Sequence, residues 1–186
     1  MKCCLIDFED SFTYNLVQEL SEANFSVEVI HWKDFITLPS DDLLVLGPGP
    51  GHPDEYQRIF PLIQSWLSMD KPLFGVCLGH QIFWRLRGES VQRSLRPLHG
   101  QRIELNPSQE WRQWLDIEGK LIVQRYNSLM VGGDVGDRNL DLINFVHDDE
   151  VLITRSKRIL TYQFHPESVG TTYRRKLIRA IYNILT

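Results

Sequence analysis

Cysteine is scarce in this chain, with three among 186 residues and two of them adjacent as Cys3-Cys4. Too few and odd in number, they exclude a disulfide framework and read as reduced thiols. Long apolar runs are also missing. A membrane-spanning helix needs ~20 consecutive apolar residues, and the run Cys3-Cys4-Leu5-Ile6 is broken at Asp7, too early even for the core of a signal peptide. We therefore expect a cytoplasmic protein with no membrane association. Positive charge is not in excess: 20 Lys+Arg against 24 Asp+Glu give a formal net charge of −4, which argues against a dedicated nucleic-acid binder. No C-x-x-C pair, H-x-x-x-H spacing or carboxylate cluster is present, so no metal or other cofactor is expected. Neither repeats nor a Pro/Ser-rich linker divide the chain, and a single domain over residues 1–186 is the expectation. What remains is ordinary globular composition, 42% hydrophobic and 24% charged.

The first half alternates between strand and helix patterns. Lys2 to Asp7 is a short apolar run ending in acid. Asp10-Ser11 then reads as an N-cap, followed by Phe12, Leu16, Val17, Leu20 and Ala23 at helical spacing. Ser26–His31 is strand-like, and Leu43–Leu46 is an apolar run that stops at Gly47-Pro48-Gly49-Pro50-Gly51, through which no helix or strand continues. Ile59, Phe60, Leu62, Ile63, Trp66 and Leu67 give a helical face, and Pro72–Val76 a buried strand. Strands apolar on both faces and separated by helices imply a parallel sheet covered on both sides. From about Leu98 the pattern shifts to short strand-like runs at Arg102–Leu105, Leu121–Tyr126, Asp141–Val146, Val151–Thr154 and Ile159–Phe164, read as a meander or mixed extension of that sheet. Leu177, Ile178, Ile181, Ile184 and Leu185 make a closing amphipathic helix whose Arg174, Arg175, Lys176 and Arg179 form its solvated face. The predicted fold is a doubly wound α/β domain, which binds ligands at the carboxyl ends of its strands.

Chemistry concentrates at those ends. Gly75-Val76-Cys77-Leu78-Gly79 has the G-x-nucleophile-x-G form in which a strand turns sharply into a helix and exposes the central side chain. Cys77 at a helix N-terminus favours thiolate, and the N–H of Leu78 is positioned as an oxyanion donor. Of the six histidines, His165 stands out. It precedes Pro166, which holds it extended, and lies two residues from Glu167, so both side chains point to one side. A carboxylate there can hold one imidazole nitrogen while the other exchanges a proton with the thiol. His31, His52, His80, His99 and His147 read as packed or surface residues. The backbone of Gly49-Pro50-Gly51 can approach a substrate closely and supply a second oxyanion N–H. Its spacing matches no phosphate loop.

Taken together these segments resemble the class I, triad-type glutamine amidotransferases, specifically the small glutaminase subunits of anthranilate and aminodeoxychorismate synthases. The resemblance runs from Asp7-Phe8-Glu9-Asp10-Ser11-Phe12 through Gly47–Gly51, Gly75–Gln81, His99-Gly100 and Arg125-Tyr126-Asn127-Ser128-Leu129 to Gln163-Phe164-His165-Pro166-Glu167-Ser168. It implies Cys77 as nucleophile, His165 as base and acid, and Glu167 as orienter. Gly49, Pro50 and Gly51 would lie against the glutamine amide, Gly51 and Leu78 would give the oxyanion N–H groups, and Gln81 with Ser128-Leu129 would hold the α-amino and α-carboxylate groups. L-glutamine is then the substrate, and the partner a synthase component I large subunit that aminates chorismate with the ammonia released.

Three departures mark this chain. Phe8 stands where the family's D-N-x-D-S-F motif has asparagine, Asn127 stands where R-Y-x-S-L usually has histidine, and the stretch from Arg155 to Thr161 is short and lacks an I-R-H signature. Two other readings share the fold: a stand-alone hydrolase of γ-glutamyl or related amides, and a catalytically silent binding module. Intact Cys77, His165, Glu167, Gln81 and Ser128 favour the glutaminase.

Overall fold

Side-chain alternation along β1 (Lys2–Asp7) divides the interior in two. Cys3 and Leu5 join one core and Cys4 and Ile6 the other, all four fully buried, as the two-residue period of a strand requires. Strand β3 (Leu43–Leu46) repeats the division, with Leu43 and Val45 on one side and Leu44 and Leu46 on the other. A strand apolar on both faces must be covered on both. On the first face α1 (Thr13–Glu22) brings Leu16 and Leu20, α4 (Gln109–Leu115) brings Trp111 and Leu115, and α5 (Arg174–Arg179) brings Leu177 and Ile178. On the second, α2 (Phe60–Ser68) brings Ile63 and Trp66, and α3 (Leu78–Leu86) brings Ile82, Phe83 and Trp84. The computed structural model describes residues 1–135 and 141–185.

The main sheet has seven strands in the order β2-β1-β3-β4-β11-β10-β9, where β2 is Ser26–His31, β4 Leu73–Val76, β9 Ile143–His147, β10 Glu150–Arg155 and β11 Ile159–Tyr162. The first five run parallel; β10 and β9 are antiparallel additions at one edge. This is the predicted layered α/β architecture with a mixed extension, and β4 and β11, neighbours in the sheet, deliver their carboxyl ends side by side.

Three local expectations are corrected. Arg102–Leu105 and Leu121–Tyr126 do not extend the sheet. They fall in β6 (Gln101–Leu105) and β7 (Leu121–Arg125), which form a separate two-stranded ribbon, and a second ribbon joins β5 (Val91–Arg93) to β8 (Leu129–Val131). β7 buries only alternate residues, Leu121, Val123 and Arg125, so it needs cover on one face and not on two. Second, α1 is not capped by Asp10 or Ser11: Phe12 holds the N-cap position with no side-chain cap. Asp10 Oδ1 instead accepts the Phe12 N–H at 2.8 Å, and Asp7 Oδ1 accepts the Glu9 N–H and the Thr13 hydroxyl, so both acids order the loop before the helix. Third, the predicted helices around Ile59 and Ile181 include 3-10 turns, Pro53–Ile59 before α2 and Ala180–Ile184 after α5. The basic residues of α5 are solvated and paired, Arg174 with Glu19, Arg175 with Glu22 and Lys176 with Asp116.

Candidate active site

Cys77 sits between β4 and α3 with φ +52° and ψ −101°, a conformation a side-chain-bearing residue adopts only where its surroundings enforce it. Those surroundings are backbone packed on glycine. A Cβ on Gly79 would stand 2.1 Å from the Leu46 carbonyl oxygen, and one on Gly75 would stand 2.9 Å from the Gly79 backbone. The spacing G-x-C-x-G is thus demanded by two close backbone approaches. The Cys77 N–H donates to the Tyr162 carbonyl at 2.8 Å, tying the turn to the outlet of β11. Cys77 is only 6% exposed.

His165 reaches the site along that outlet. It is not in an extended strand, as the sequence suggests, because β11 ends at Tyr162; His165 forms a single bridge with Gln124 and a turn follows. The turn itself brings His165 Nδ1 to 2.6 Å from Glu167 Oε1. The segment is laced down from outside: the His165 N–H donates to the Gln124 carbonyl, the Thr171 hydroxyl donates to the His165 carbonyl at 2.7 Å, and the Ser168 hydroxyl donates to Gln124 Oε1 at 2.6 Å. Burial opposes charge on this ring, but the negative charge of the Glu167 carboxylate, and then that of the Cys77 sulfur when ionised, outweigh it and hold its pKa well above the usual histidine value. His165 and Glu167 are both about 1% exposed.

The loop Gly47–Gly51 comes against the same turn. Gly49 is wedged between Leu78 and Phe8, where a Cβ would meet side-chain carbons of each at 2.5 Å. Gly51 has φ +75°, and the Pro50 carbonyl accepts the Tyr56 hydroxyl at 3.0 Å. Phe8, the departure from the family pattern, is a core residue packed edge-on to Tyr56. Gln81, one turn into α3, donates from Nε2 to the Leu129 carbonyl at 3.1 Å. Ser128 lies beside it, its carbonyl accepting the Ser94 N–H. The ten sequence-predicted residues thus fall on four segments: the Gly49–Gly51 loop, the Cys77–Gln81 turn, Ser128-Leu129, which Gln81 contacts, and the His165–Glu167 outlet.

Other residues line the site without any local pattern that marks them for it. Phe12 and Tyr126 flank the His165 ring at 5.1 and 5.2 Å between centroids. Asn127 accepts from Arg125 Nε at 3.0 Å and donates to the Leu129 carbonyl at 2.8 Å. Arg125 is in turn ion-paired with buried Glu150, which accepts the Ser94 hydroxyl. Gln163 is fully buried and faces both Gln81 and the Cys77 sulfur. His80 is also buried, its Nδ1 2.8 Å from the Thr161 hydroxyl, and burial presses its pKa down to about 3. Among the described residues, no group of three or more His, Cys, Asp or Glu is arranged to hold a metal.

The chain matches the family described as Glutamine amidotransferase class-I over residues 4–184. It is 33% identical to anthranilate synthase component 2 of Cyanidium caldarium, with 94% of each chain covered. Against the aminodeoxychorismate/anthranilate synthase component 2 of Bacillus subtilis (strain 168) it is 32% identical over 94% of this chain and 92% of that one. Its fold is similar to that of a glutamine amidotransferase from Thermotoga maritima, with a TM-score of 0.72 at 19% identity, covering 90% of this chain and 76% of the other.

Proposed function

The chain belongs to the class-I glutamine amidotransferases and is a glutaminase domain, and from that premise we propose that it is the glutaminase subunit of a two-component synthase that aminates chorismate. The observation that carries the reading is the Cys77–His165–Glu167 constellation, a thiol on a sterically enforced turn facing an imidazole whose far nitrogen a buried carboxylate holds at 2.6 Å. Two relatives named component 2 of such synthases support the choice of partner.

In this reading Cys77, as thiolate, attacks the δ-carbonyl carbon of L-glutamine. The N–H groups of Gly51 and Leu78 receive the charge that moves onto the carbonyl oxygen. His165 returns the proton to the leaving nitrogen, ammonia departs, and a γ-glutamyl thioester remains. The same ring then takes a proton from water, which attacks the thioester and frees glutamate. Glu167 fixes the tautomer and orientation of the ring. Both hydrogen bonds of Gln81 use Nε2, so its Oε1 serves the substrate α-ammonium, while the Ser128-Leu129 backbone serves the α-carboxylate. In the same reading the chain acts as one domain over residues 1–186 in the cytoplasm.

The test is ammonia release from glutamine by the chain alone, with a chorismate-aminating component I, and with component I plus chorismate. The two-component reading expects slow release alone and acceleration in the third condition, because a partner shifts the active population only through differential contact with loops such as Asp7–Asn15 and Gly47–His52. Equal and substantial rates in all three would overturn it in favour of a stand-alone hydrolase.

A further inference from the structure

The Leu129 carbonyl can only accept hydrogen bonds, and this fixes the orientation of two buried amides. The Gln81 atom 3.1 Å from it is the amide nitrogen, and the second hydrogen of that nitrogen meets the Gln163 amide oxygen, also at 3.1 Å. With its oxygen committed there, Gln163 turns its own Nε2 toward Cys77 Sγ, 3.9 Å away, within reach of an N–H···S contact given the size of sulfur. Gln163 is fully buried, and its backbone N–H donates to the Leu152 carbonyl at 2.9 Å, which anchors the main chain from which the amide reaches. The chain of contacts continues outward, for Leu129 also receives Asn127 Nδ2, and Asn127 Oδ1 receives Arg125 Nε, whose guanidinium is paired with Glu150.

We propose that Gln163 is a further catalytic residue of this site, a neutral second donor to the Cys77 sulfur whose amide is aimed by Gln81 and the Leu129 carbonyl. The proposal rests on the reading of Cys77 as nucleophile. His165 is a mobile-proton partner of the sulfur and gives its proton away during the reaction; Gln163 keeps its N–H throughout. It therefore holds the sulfur anion both before attack and when the thioester collapses, with no proton transferred. A donor buried beside an anion is stronger than one in water, and its loss leaves the charge unsatisfied.

The experiment is alkylation of the full chain by iodoacetamide near neutral pH, with modification of each cysteine followed by peptide mass. Cys3 and Cys4 serve as internal references, since burial pushes both thiols up to about 12. Gln163→Met keeps the shape and removes the donor; Gln163→Glu keeps an acceptor for Gln81 and also removes the donor. Both are expected to slow Cys77 alkylation about tenfold or more, as for a hydrogen bond to a charged group, with kcat for glutaminase falling and KM for glutamine changing less. A Cys77 rate within twofold of wild type in either variant overturns the proposal. Should thermal melts show the Gln163 variants unfolded, Gln81→Met decides: it releases the aim of the Gln163 amide and is expected to slow alkylation about threefold, and an unchanged rate overturns the proposal. Wild-type Cys77 no faster than Cys3 would contradict the nucleophile reading itself, and Gln163 with it, whereas a fast wild type with unaffected variants contradicts Gln163 alone.

Discussion

Two buried histidines lie close to Cys77 in sequence or in space, and they are opposites. His80 is carried inside the first turns of α3, with a threonine hydroxyl at its Nδ1, and burial presses its pKa to about 3. His165 stands at the outlet of β11 between a carboxylate and a thiol, and although burial opposes its charge as well, those two neighbours raise its pKa well above the ordinary value. Burial alone makes a histidine an inert neutral packing group. A base requires, in addition, a carboxylate placed to keep one nitrogen protonated and to stabilise the imidazolium. The difference is therefore not in the residue but in whether the fold also buries an acid within hydrogen-bond reach.

Removing each ring separately breaks the comparison most strongly. His165→Ala should lower kcat/KM for glutamine ~10²–10⁴-fold, the usual weight of a positioned acid–base group, while His80→Gln should stay within about threefold. Comparable losses in the two variants, measured as ammonia release, would erase the distinction. Gly79→Ala disturbs the helix that carries both His80 and the Cys77 turn. Its Cβ would sit 2.1 Å from the Leu46 carbonyl oxygen, a backbone atom with nowhere to go, so a loss of about 3 kcal/mol or more in denaturant unfolding is expected. Unchanged stability there would mean that the turn is not held by close packing.

The pH dependence of stability separates the two rings from the folding side. His80 binds its proton at about 3 when folded and near ~6.5 when unfolded, so its neutral packing contributes fully above the unfolded value and is lost as pH falls through that window, at up to about 1.4 kcal/mol per pH unit. His165 runs the other way. Its folded value is raised, so its contribution is present below the unfolded value and is lost as pH climbs through the folded one. Urea titrations of wild type and His80→Gln between neutral pH and pH 4 should converge as pH falls; parallel curves would contradict the burial argument. A smaller loss than that of His165→Ala is expected from Glu167→Gln, which keeps a hydrogen bond to His165 but loses its charge assistance, about tenfold in kcat. A loss equal to that of His165→Ala would make the carboxylate more than an orienter.

The sequence made some of this legible and hid the rest for definite reasons. G-x-C-x-G could be read because both glycines answer a steric demand of adjacent backbone, which local spacing expresses. β1 and β3 could be read because each is buried on both faces. The His165–Glu167 pair could be picked out from its Pro166, yet the geometry that joins them is a turn, since β11 ends before the apolar run does. Asp10-Ser11 misled because Asp10 satisfies the loop and not the helix. The helix α4 is legible only in its start signal, Pro107-Ser108, where Ser108 accepts the Trp111 N–H. Gln163 and Asn127 escape for another reason: their contacts link the 77–81 turn, the 125–129 loop and the β11 outlet, segments distant in sequence whose pairing no periodicity records. The Asn127 departure resolves physically, as an amide that both accepts from Arg125 and donates to Leu129.

The central claim is that Cys77, and no other thiol, attacks a bound glutamine with His165 beside it. An electrophilic diazoketone analogue of L-glutamine puts a reactive carbon where the substrate amide nitrogen and carbonyl meet the sulfur. Labelling followed by peptide mass should find one adduct per chain, on Cys77, slowed by L-glutamine and much slower in His165→Ala. Label on Cys3 or Cys4, or labelling of Cys77 that glutamine does not slow, would contradict the account.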